Sequence, residues 1–240
     1  IAWILNLRGN DVACNPVFLS NLVIGEEEAW LFLMRPEAFR EALEAEGIHV
    51  LSYEGFYEAL PGLCRGRRVL FDSGKLSEQA YRCLEPAASR IDRPDPAVLM
   101  KAVKNGTEIQ GMKKAHRKDG IALVKFLYWL KNHVGKEPLT ELSAAARLEE
   151  FRREQEGYIE PSFTTVAAYG PNGAVIHYMP EPETDTPLRE EGFFLVDSGG
   201  QYLDGTTDVT RTVALGPLTL TQKKHFTAVL KGMLALGSAR

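Results

Sequence analysis

Residues 193–216, FFLVDSGGQYLDGTTDVTRTVALG, decide the fold of the second half of this chain. The stretch opens with four consecutive apolar residues, which is typical of a buried strand, and it closes that strand with the acid Asp197. Two glycine-containing turns separate Asp197 from a second acid, Asp208. From Asp208 onward, polar residues alternate with others at the period of a strand. The stretch therefore predicts two strands that bring two carboxylates side by side.

Two carboxylates in contact cannot both stay ionised in a poorly hydrated place, so they must share a proton or bind a cation. Thr210 and Thr212 follow Asp208 on the same face of the predicted strand and add hydroxyl oxygens. This face is similar to an oxygen-lined cation site. The spacing alone equally allows a plain arrangement, in which Asp197 caps a turn and Asp208 begins a strand without binding anything.

A calcium loop of the EF-hand type is excluded, although the run DSGGQYLDGTTD has twelve residues and an acid at each end. Its sixth position is Tyr202, where the loop requires glycine, and its twelfth is Asp208, where the loop requires a bidentate glutamate. The Asp204-Gly205 pair inside the run is typical of a turn, so Asp204 is interpreted as a turn residue.

His177 lies in the run AVIHY, which follows the turn residues Pro-Asn-Gly and predicts a strand with the histidine near its end. Histidine titrates near neutral pH and could act as an acid, a base or an oxyanion partner in a hydrolytic site. A lone histidine at a strand end is more often structural. The residues by themselves leave both interpretations open.

Composition excludes several classes of function. The chain has 240 residues and a net charge of −4, and its basic clusters lack interleaved aromatic residues, so nucleic acid is not expected as a partner. The longest apolar run, near residues 121–130, is interrupted by Lys125, and no membrane span is expected. Three cysteines without CxxC spacing fit neither a disulfide framework nor a zinc ribbon. We therefore expect a cytoplasmic protein.

Two domains are predicted along the chain. Residues 1–100 alternate short apolar runs with helical ones, which is typical of an α/β domain. Two prolines in residues 89–104 mark the boundary. Residues 101–240 then predict an α+β order, with a long helix from Asn105, a helix over residues 140–156, four strands and a last helix near Thr221. The four predicted strands are FTTVAAYG, AVIHY, GFFLVDSG and TDVTRTVALG.

Five stretches together resemble aminopeptidase P, the Xaa-Pro aminopeptidases of the pita-bread metallopeptidase family, in their three-domain form. They are AWILNLRGNDVACNPVF, AVKNGTEIQGMKKAHRKDG, EEFRREQEGYIEPSF, GPNGAVIHY and DSGGQYLDGTTDVTRT. The resemblance covers nearly the whole chain. It implies an α/β creatinase-like domain at residues 1–100, whose start is missing, followed by an incomplete α+β pita-bread catalytic domain at residues 101–240.

The resemblance also implies an activity and a site. The family hydrolyses peptides with proline in the second position, releasing the first residue, and commonly works as a homodimer. Asp197 and Asp208 are implied to bind two divalent metal ions, commonly Mn²⁺, with Asp208 bridging both. Two such ions activate a water and polarise the scissile carbonyl, and oxygen ligands suit manganese. His177 is implied to contact the substrate and to assist the tetrahedral intermediate.

The sequence departs from the family pattern after Asp208. The family's remaining ligands, one histidine and two glutamates, lie in the second half of its catalytic domain. After Asp208 this chain has no Asp or Glu, and its only histidine there is His225, in a helix-like run. We therefore expect that the chain is part of a longer protein, that the missing ligands lie beyond Arg240, and that these residues alone have no peptidase activity.

Three alternative functions are weighed against the aminopeptidase. A catalytically silent pita-bread module that binds peptides or proteins would not need Asp197, Asp208 and His177. A creatinase-like hydrolase works without metal, and the two aspartates again favour a metal enzyme. A proline dipeptidase shares the metal site and is harder to exclude. The leading α/β domain favours the aminopeptidase, by resemblance alone.

Overall fold

The computed structural model describes residues 1–239, with Ala38 described by its backbone only. The chain folds as two units, the first being Ile1–Asn105 and the second beginning at Gly106. None of the helices within the described residues is long and apolar enough to cross a membrane.

The first unit is an α/β arrangement built on two small sheets. Its strands are β1 (Ser20–Ile24), β2 (Ala29–Leu33), β3 (Ile48–Ser52), β4 (Arg68–Phe71) and β5 (Ser89–Asp92). Its helices are α1 (Ala2–Leu5), α2 (Arg40–Ala45), α3 (Phe56–Cys64), α4 (Glu78–Cys83) and α5 (Pro96–Ala102). In the first sheet β2 is central, antiparallel to β1 and parallel to β3, and in the second β4 is parallel to β5.

Strand β2 explains the α/β character of this unit. Side chains alternate across a strand, and here both faces are buried. Phe32 packs into a cluster with Phe56 and Leu60 of α3, while Leu31 packs on the other side with Leu43 of α2. A strand that is covered on both faces must be apolar throughout, which is the continuous AWLFL run of the sequence.

The second unit combines helices with antiparallel strands. Its helices are α6 (Gly106–His133), α7 (Glu141–Arg153) and α8 (Leu220–Gly237). Its strands are β6 (Tyr158–Pro161), β7 (Val166–Tyr169), β8 (Phe193–Ser198), β9 (Gly200–Tyr202), β10 (Gly205–Thr206) and β11 (Val209–Ala214). They form two three-stranded sheets, in the orders β11-β8-β7 and β10-β9-β6. The predicted α+β class of this unit is confirmed.

Helices α6 and α7 cover one face of the β11-β8-β7 sheet. Phe126 of α6 and Leu148 of α7 are fully buried with Phe194 and Val196 of β8 in one core cluster. Residues 194 and 196 share a face because side chains alternate along a strand, so Asp197 points to the opposite face. The core therefore decides which side of the sheet carries the acid.

Two helices of this unit begin at a threonine cap. Thr140 caps α7 and Thr219 caps α8, each in a reciprocal pair of hydrogen bonds with the residue three positions on. Helix α7 ends at Arg153, three residues before the predicted end, because the chain turns there before β6. Gly157 lies in that turn, with a left-handed φ of 76° that favours glycine.

The run AVIHY is not a strand, contrary to the prediction. Residues 170–174 form a 3₁₀ helix, and His177 lies in the turn that follows. A strand requires a neighbour for its backbone hydrogen bonds, and none of the strands in the described part of the chain pairs with this run. Val175 and Ile176 are accordingly exposed. The apolar residues of this run predicted a buried strand, but no part of the described chain covers Val175 and Ile176.

Candidate functional site

Asp197 lies near the end of β8, on the face of the sheet away from the core. Its cross-strand partners are Thr210 in β11 and Val166 in β7. The Thr210 hydroxyl donates a 2.6 Å hydrogen bond to Oδ1 of Asp197. This bond orients the carboxylate, and an ionised carboxylate still has further lone pairs with which to bind a cation.

Asp208 directly precedes β11 and is exposed. On one side of it Val209 pairs with Ser198, and on the other the Thr207 amide donates a 3.0 Å hydrogen bond to the Gly200 carbonyl. The chain is thus in register on both sides of Asp208. Since side chains alternate, Asp208 falls on the same face as Thr210, and Thr210 is the partner of Asp197. The alternation of β11, continued back by one residue, thus assigns Asp208 to the face of the sheet that carries Asp197.

The pair offers oxygen ligands to a metal ion. Carboxylate and hydroxyl oxygens suit hard and borderline divalent ions such as Mn²⁺. Within residues 1–239, no group of three or more His, Cys, Asp or Glu side chains is placed to hold a metal ion. Asp197 and Asp208 therefore fit part of an oxygen-ligated metal site and do not complete one by themselves.

His177 lies apart from this pair in the hydrogen-bonding pattern. It follows β7, whose last residue Tyr169 is opposite Phe194, whereas Asp197 is opposite Val166 at the other end of that ladder. Its side chain is exposed, and its φ of 56° lies in the left-handed region, which is uncommon for a residue other than glycine. No hydrogen bond or ion pair among the described residues joins it to either aspartate.

A buried charged network supports the core side of β8. The Arg152 guanidinium donates to both carboxylate oxygens of Asp119, at 2.7 and 3.2 Å, and to the Ser198 hydroxyl at 3.1 Å. The Tyr202 hydroxyl donates a 3.0 Å bond to Asp119. Burial, together with the neighbouring Asp119 carboxylate, raises the pKa of Tyr202, so this hydroxyl stays protonated. The network fixes Ser198, the residue next to Asp197.

Sequence reasoning missed this network, although a signal was present. Asp119 follows Ala115 by four residues and precedes Phe126 by seven, so it occupies a core position of α6. Arg152 stands four residues after Leu148 in α7 in the same way. A charged residue at a core position of a helix requires a buried partner. An acid and a base at such positions in consecutive helices therefore predict a buried ion pair between them. Glu141, buried at the start of α7, is a third such residue.

Asp204 is a turn residue, as predicted, and it also has a partner that was not predicted. It lies in the turn between β9 and β10, and the Lys118 ammonium of α6 donates to its carboxylate at 2.5 Å. This hydrogen bond lowers the pKa of Asp204 below its usual 3.8. The pair ties the tip of the hairpin to the long helix.

Replacing Lys118 with methionine is expected to lower the free energy of unfolding at pH 7 by up to about 1 kcal/mol, as for a partly exposed ion pair. The pKa of Asp204 is lower in the folded than in the unfolded chain, so the contribution is present above the unfolded value and lost as pH falls through the folded one. The free energies of unfolding of the two proteins, measured by urea titration at a series of pH values, should therefore converge at low pH. A difference that persists unchanged would contradict the ion-pair explanation, and Lys113→Met serves as a control within the same helix.

Comparison with known families divides the chain in two. Residues 1–108 match the Creatinase/Prolidase N-terminal domain, and residues 110–239 match metallopeptidase family M24. The second match alone covers more than half of the chain.

Curated relatives align with the chain over nearly its whole length. The Xaa-Pro aminopeptidase ApepP of Drosophila melanogaster is 40% identical over 244 residues, covering 99% of this chain and 40% of that protein. Xaa-Pro aminopeptidase 1 of Dictyostelium discoideum is 39% identical, covering 98% of this chain and 38% of that protein. The chain thus spans about two fifths of the length of the curated relatives that it matches.

Solved structures share the fold. The X-prolyl aminopeptidase of Caenorhabditis elegans, described as a cytosolic enzyme with a di-nuclear active site, superposes with a TM-score of 0.80 at 29% identity, covering 92% of this chain and 37% of that one. The prolidase of Pyrococcus furiosus gives a TM-score of 0.68 at 22% identity, covering 88% and 60%. At that identity the second likeness concerns the fold alone.

Proposed function

Because the chain belongs to metallopeptidase family M24, we propose that the natural protein containing it is a metal-dependent Xaa-Pro aminopeptidase. Its substrates are peptides with proline in the second position, and it releases the first residue. The proposal is supported by the position of Asp197 in β8 and of Asp208 directly before the partner strand β11, in a chain 40% identical to the fly Xaa-Pro aminopeptidase. We propose residues 1–100 as the creatinase-like domain and residues 101–240 as the first half of the pita-bread domain.

In this proposal Asp197 and Asp208 contribute to a site for two divalent ions, which we take to be Mn²⁺. Such a pair supplies Lewis acidity for the peptide carbonyl and an activated water. The Thr210 hydroxyl orients the Asp197 carboxylate, as hydrogen bonds to metal ligands commonly do. His177 contacts the substrate and stabilises the tetrahedral intermediate. We also propose a cytoplasmic homodimer.

The aspartates are tested by Mn²⁺ titration and by peptide cleavage in the natural protein that contains this chain. Asp197→Asn and Asp208→Asn should each lower kcat/KM by more than about 100-fold. Mutation of residues that only hydrogen-bond to metal ligands already lowers metal affinity or activity by about 10–100-fold. The matched control is Asp204→Asn, which changes an aspartate of the same hairpin that is bonded to Lys118. Activity retained in both site variants, or lost equally in the control, would refute the assignment.

The substrate class is tested with a short series of peptides. An aminopeptidase cleaves a tripeptide with proline in second place, whereas cleavage confined to Xaa-Pro dipeptides would identify a proline dipeptidase instead. The 240-residue polypeptide, expressed by itself, should bind Mn²⁺ weakly and cleave neither peptide, because two carboxylates leave most of the coordination shell to water. A measurable cleavage rate from that polypeptide would overturn this part of the proposal.

A further inference from the structure

Glu141, the first residue of α7, is a fully buried carboxylate surrounded by neutral donors. Its Oε1 accepts from the Tyr169 amide at 2.5 Å and from the Asn172 side-chain amide at 3.1 Å. Its Oε2 accepts from the Tyr178 hydroxyl at 2.9 Å and from the Thr186 amide at 3.3 Å. Each carboxylate oxygen of Glu141 therefore accepts two hydrogen bonds.

All of these donors belong to residues 169–186, the segment that carries His177. Asn172 lies in the 3₁₀ helix before the histidine, and its side-chain amide also contacts the Tyr178 hydroxyl at 3.0 Å. Tyr178 follows the histidine directly. The turn that holds His177 is thus attached to Glu141 on both sides, through Asn172 and through Tyr178.

The far end of the segment is attached to the same helix start. The Glu141 amide donates to the Thr186 carbonyl at 3.1 Å, and the Leu142 amide donates to the Asp185 carboxylate at 3.0 Å. The Leu188 amide donates to the Leu139 carbonyl at 2.8 Å. The segment therefore leaves β7, passes His177 and returns to residues 139–142, with Glu141 at the centre of its hydrogen bonds.

His177 itself is held in a backbone conformation that needs external support. Its φ of 56° costs energy for a residue with a Cβ atom, so the conformation persists where the surroundings enforce it. The hydrogen bond from the Tyr178 amide to the Val175 carbonyl, at 3.2 Å, closes the turn around it. Tyr178 is in turn bonded to Glu141, which connects the buried carboxylate to the conformation of the histidine.

We propose that Glu141 is a positioning residue that holds His177 in place for its contact with the peptide substrate. The inference rests on the role given to His177 under the proposed function. Glutamine cannot replace Glu141 here, because the Tyr169 and Thr186 amide N–H groups are fixed donors and lie on opposite oxygens. Either orientation of a glutamine side chain would place its NH₂ group against one of them.

The test uses the NMR signals of the histidines in the natural protein that contains this chain, with His177→Ala identifying the relevant one. In Glu141→Gln the His177 signal should move and broaden while the other histidine signals stay in place. The Tyr178 hydroxyl would lose its hydrogen bond to a charged carboxylate, which is among the stronger kinds of hydrogen bond, and the turn would open more often. The Tyr178 amide, which closes that turn, should therefore exchange with solvent at least about tenfold faster. Tyr178→Phe removes one donor only and should show the same changes in weaker form.

Leu148→Ala is the matched control, because Leu148 is fully buried in the same helix and belongs to the core cluster. It should destabilise the unit without changing the His177 signal. The proposal is overturned if Glu141→Gln and Tyr178→Phe leave that signal unchanged, or if Leu148→Ala alters it equally. If Glu141→Gln does not fold, Tyr178→Phe decides. These measurements do not depend on cleavage, so an inactive natural protein would refute the proposed function and leave this result standing.

Discussion

Arg152→Met is expected to lower the free energy of unfolding of the second unit by about 3–5 kcal/mol, the usual cost of removing one partner of a buried ion pair. Asp119 would remain fully buried with the Tyr202 hydroxyl as its one remaining donor of the network. A buried carboxylate without its cation is unfavourable because it has lost its hydration without compensation. Trp129 of α6 reports the unfolding of this unit in a background where Trp3 and Trp30 are replaced by phenylalanine.

The next residue along the chain provides the control for this prediction. Arg153 forms an ion pair with Glu149, but its side chain is 65% exposed. Arg153→Met should therefore change the free energy of unfolding by only about 0.5 kcal/mol. The double variant Asp119→Leu with Arg152→Met should regain most of the lost stability, since the unpaired charge is gone. If Arg152→Met lowers the free energy of unfolding by less than about 1 kcal/mol, the buried Asp119–Arg152 pair does not stabilise this unit as proposed.

Gly199→Ala is expected to destabilise the second unit by about 3 kcal/mol or more, at the upper end of the cost of overpacking. A Cβ atom at this position would overlap the carbonyl oxygen of Thr207 and the hydroxyl of Ser162. The Ser162 hydroxyl donates to that same carbonyl at 2.8 Å, so neither atom can move without breaking the contact. The chain would have to open between Asp197 and Asp208.

Gly120→Ala is the matched control for this substitution. Gly120 lies within α6, and among the described residues no atom outside its own helical turn lies within 4 Å of the position of its added Cβ. Alanine there should stabilise the helix by about 0.5–1 kcal/mol, through backbone entropy alone. Thermal unfolding of the two variants should move in opposite directions. In the natural protein, Gly199→Ala should also weaken Mn²⁺ binding. Unchanged stability and unchanged Mn²⁺ binding would contradict the close contact of Gly199 with Thr207 and Ser162.

Much of the architecture was predictable from local sequence. The short apolar runs of residues 1–100 indicated an α/β domain, and β2, which is one of these runs, has helices on both sides. The helix predicted over residues 140–156 begins at its cap Thr140, whereas the cap of α8 is Thr219, two residues before the predicted start near Thr221. These signals are local, because capping depends on neighbours three residues away and burial on the alternation of side chains.

The error at AVIHY has a different cause. Apolar residues indicate burial, but they do not say what will cover them, and a strand forms only where another strand supplies its hydrogen bonds. In the described residues that segment is bonded instead to Glu141 through Asn172 and Tyr178. A glutamate at the start of a helix is also an ordinary N-terminal residue, so its sequence position did not reveal this role.

By itself the sequence determined the spacing of Asp197 and Asp208, the strand that carries Asp197, the strand that follows Asp208 and the turn at Asp204, since these follow from side-chain alternation and turn chemistry. Only the tertiary structure decided which face of the sheet carries the acids, because that depends on where α6 and α7 pack. It also decided that Asp119, Arg152 and Glu141 are buried with partners. Such partners lie tens of residues apart in the chain, and a buried charge is stable only when the fold brings them together.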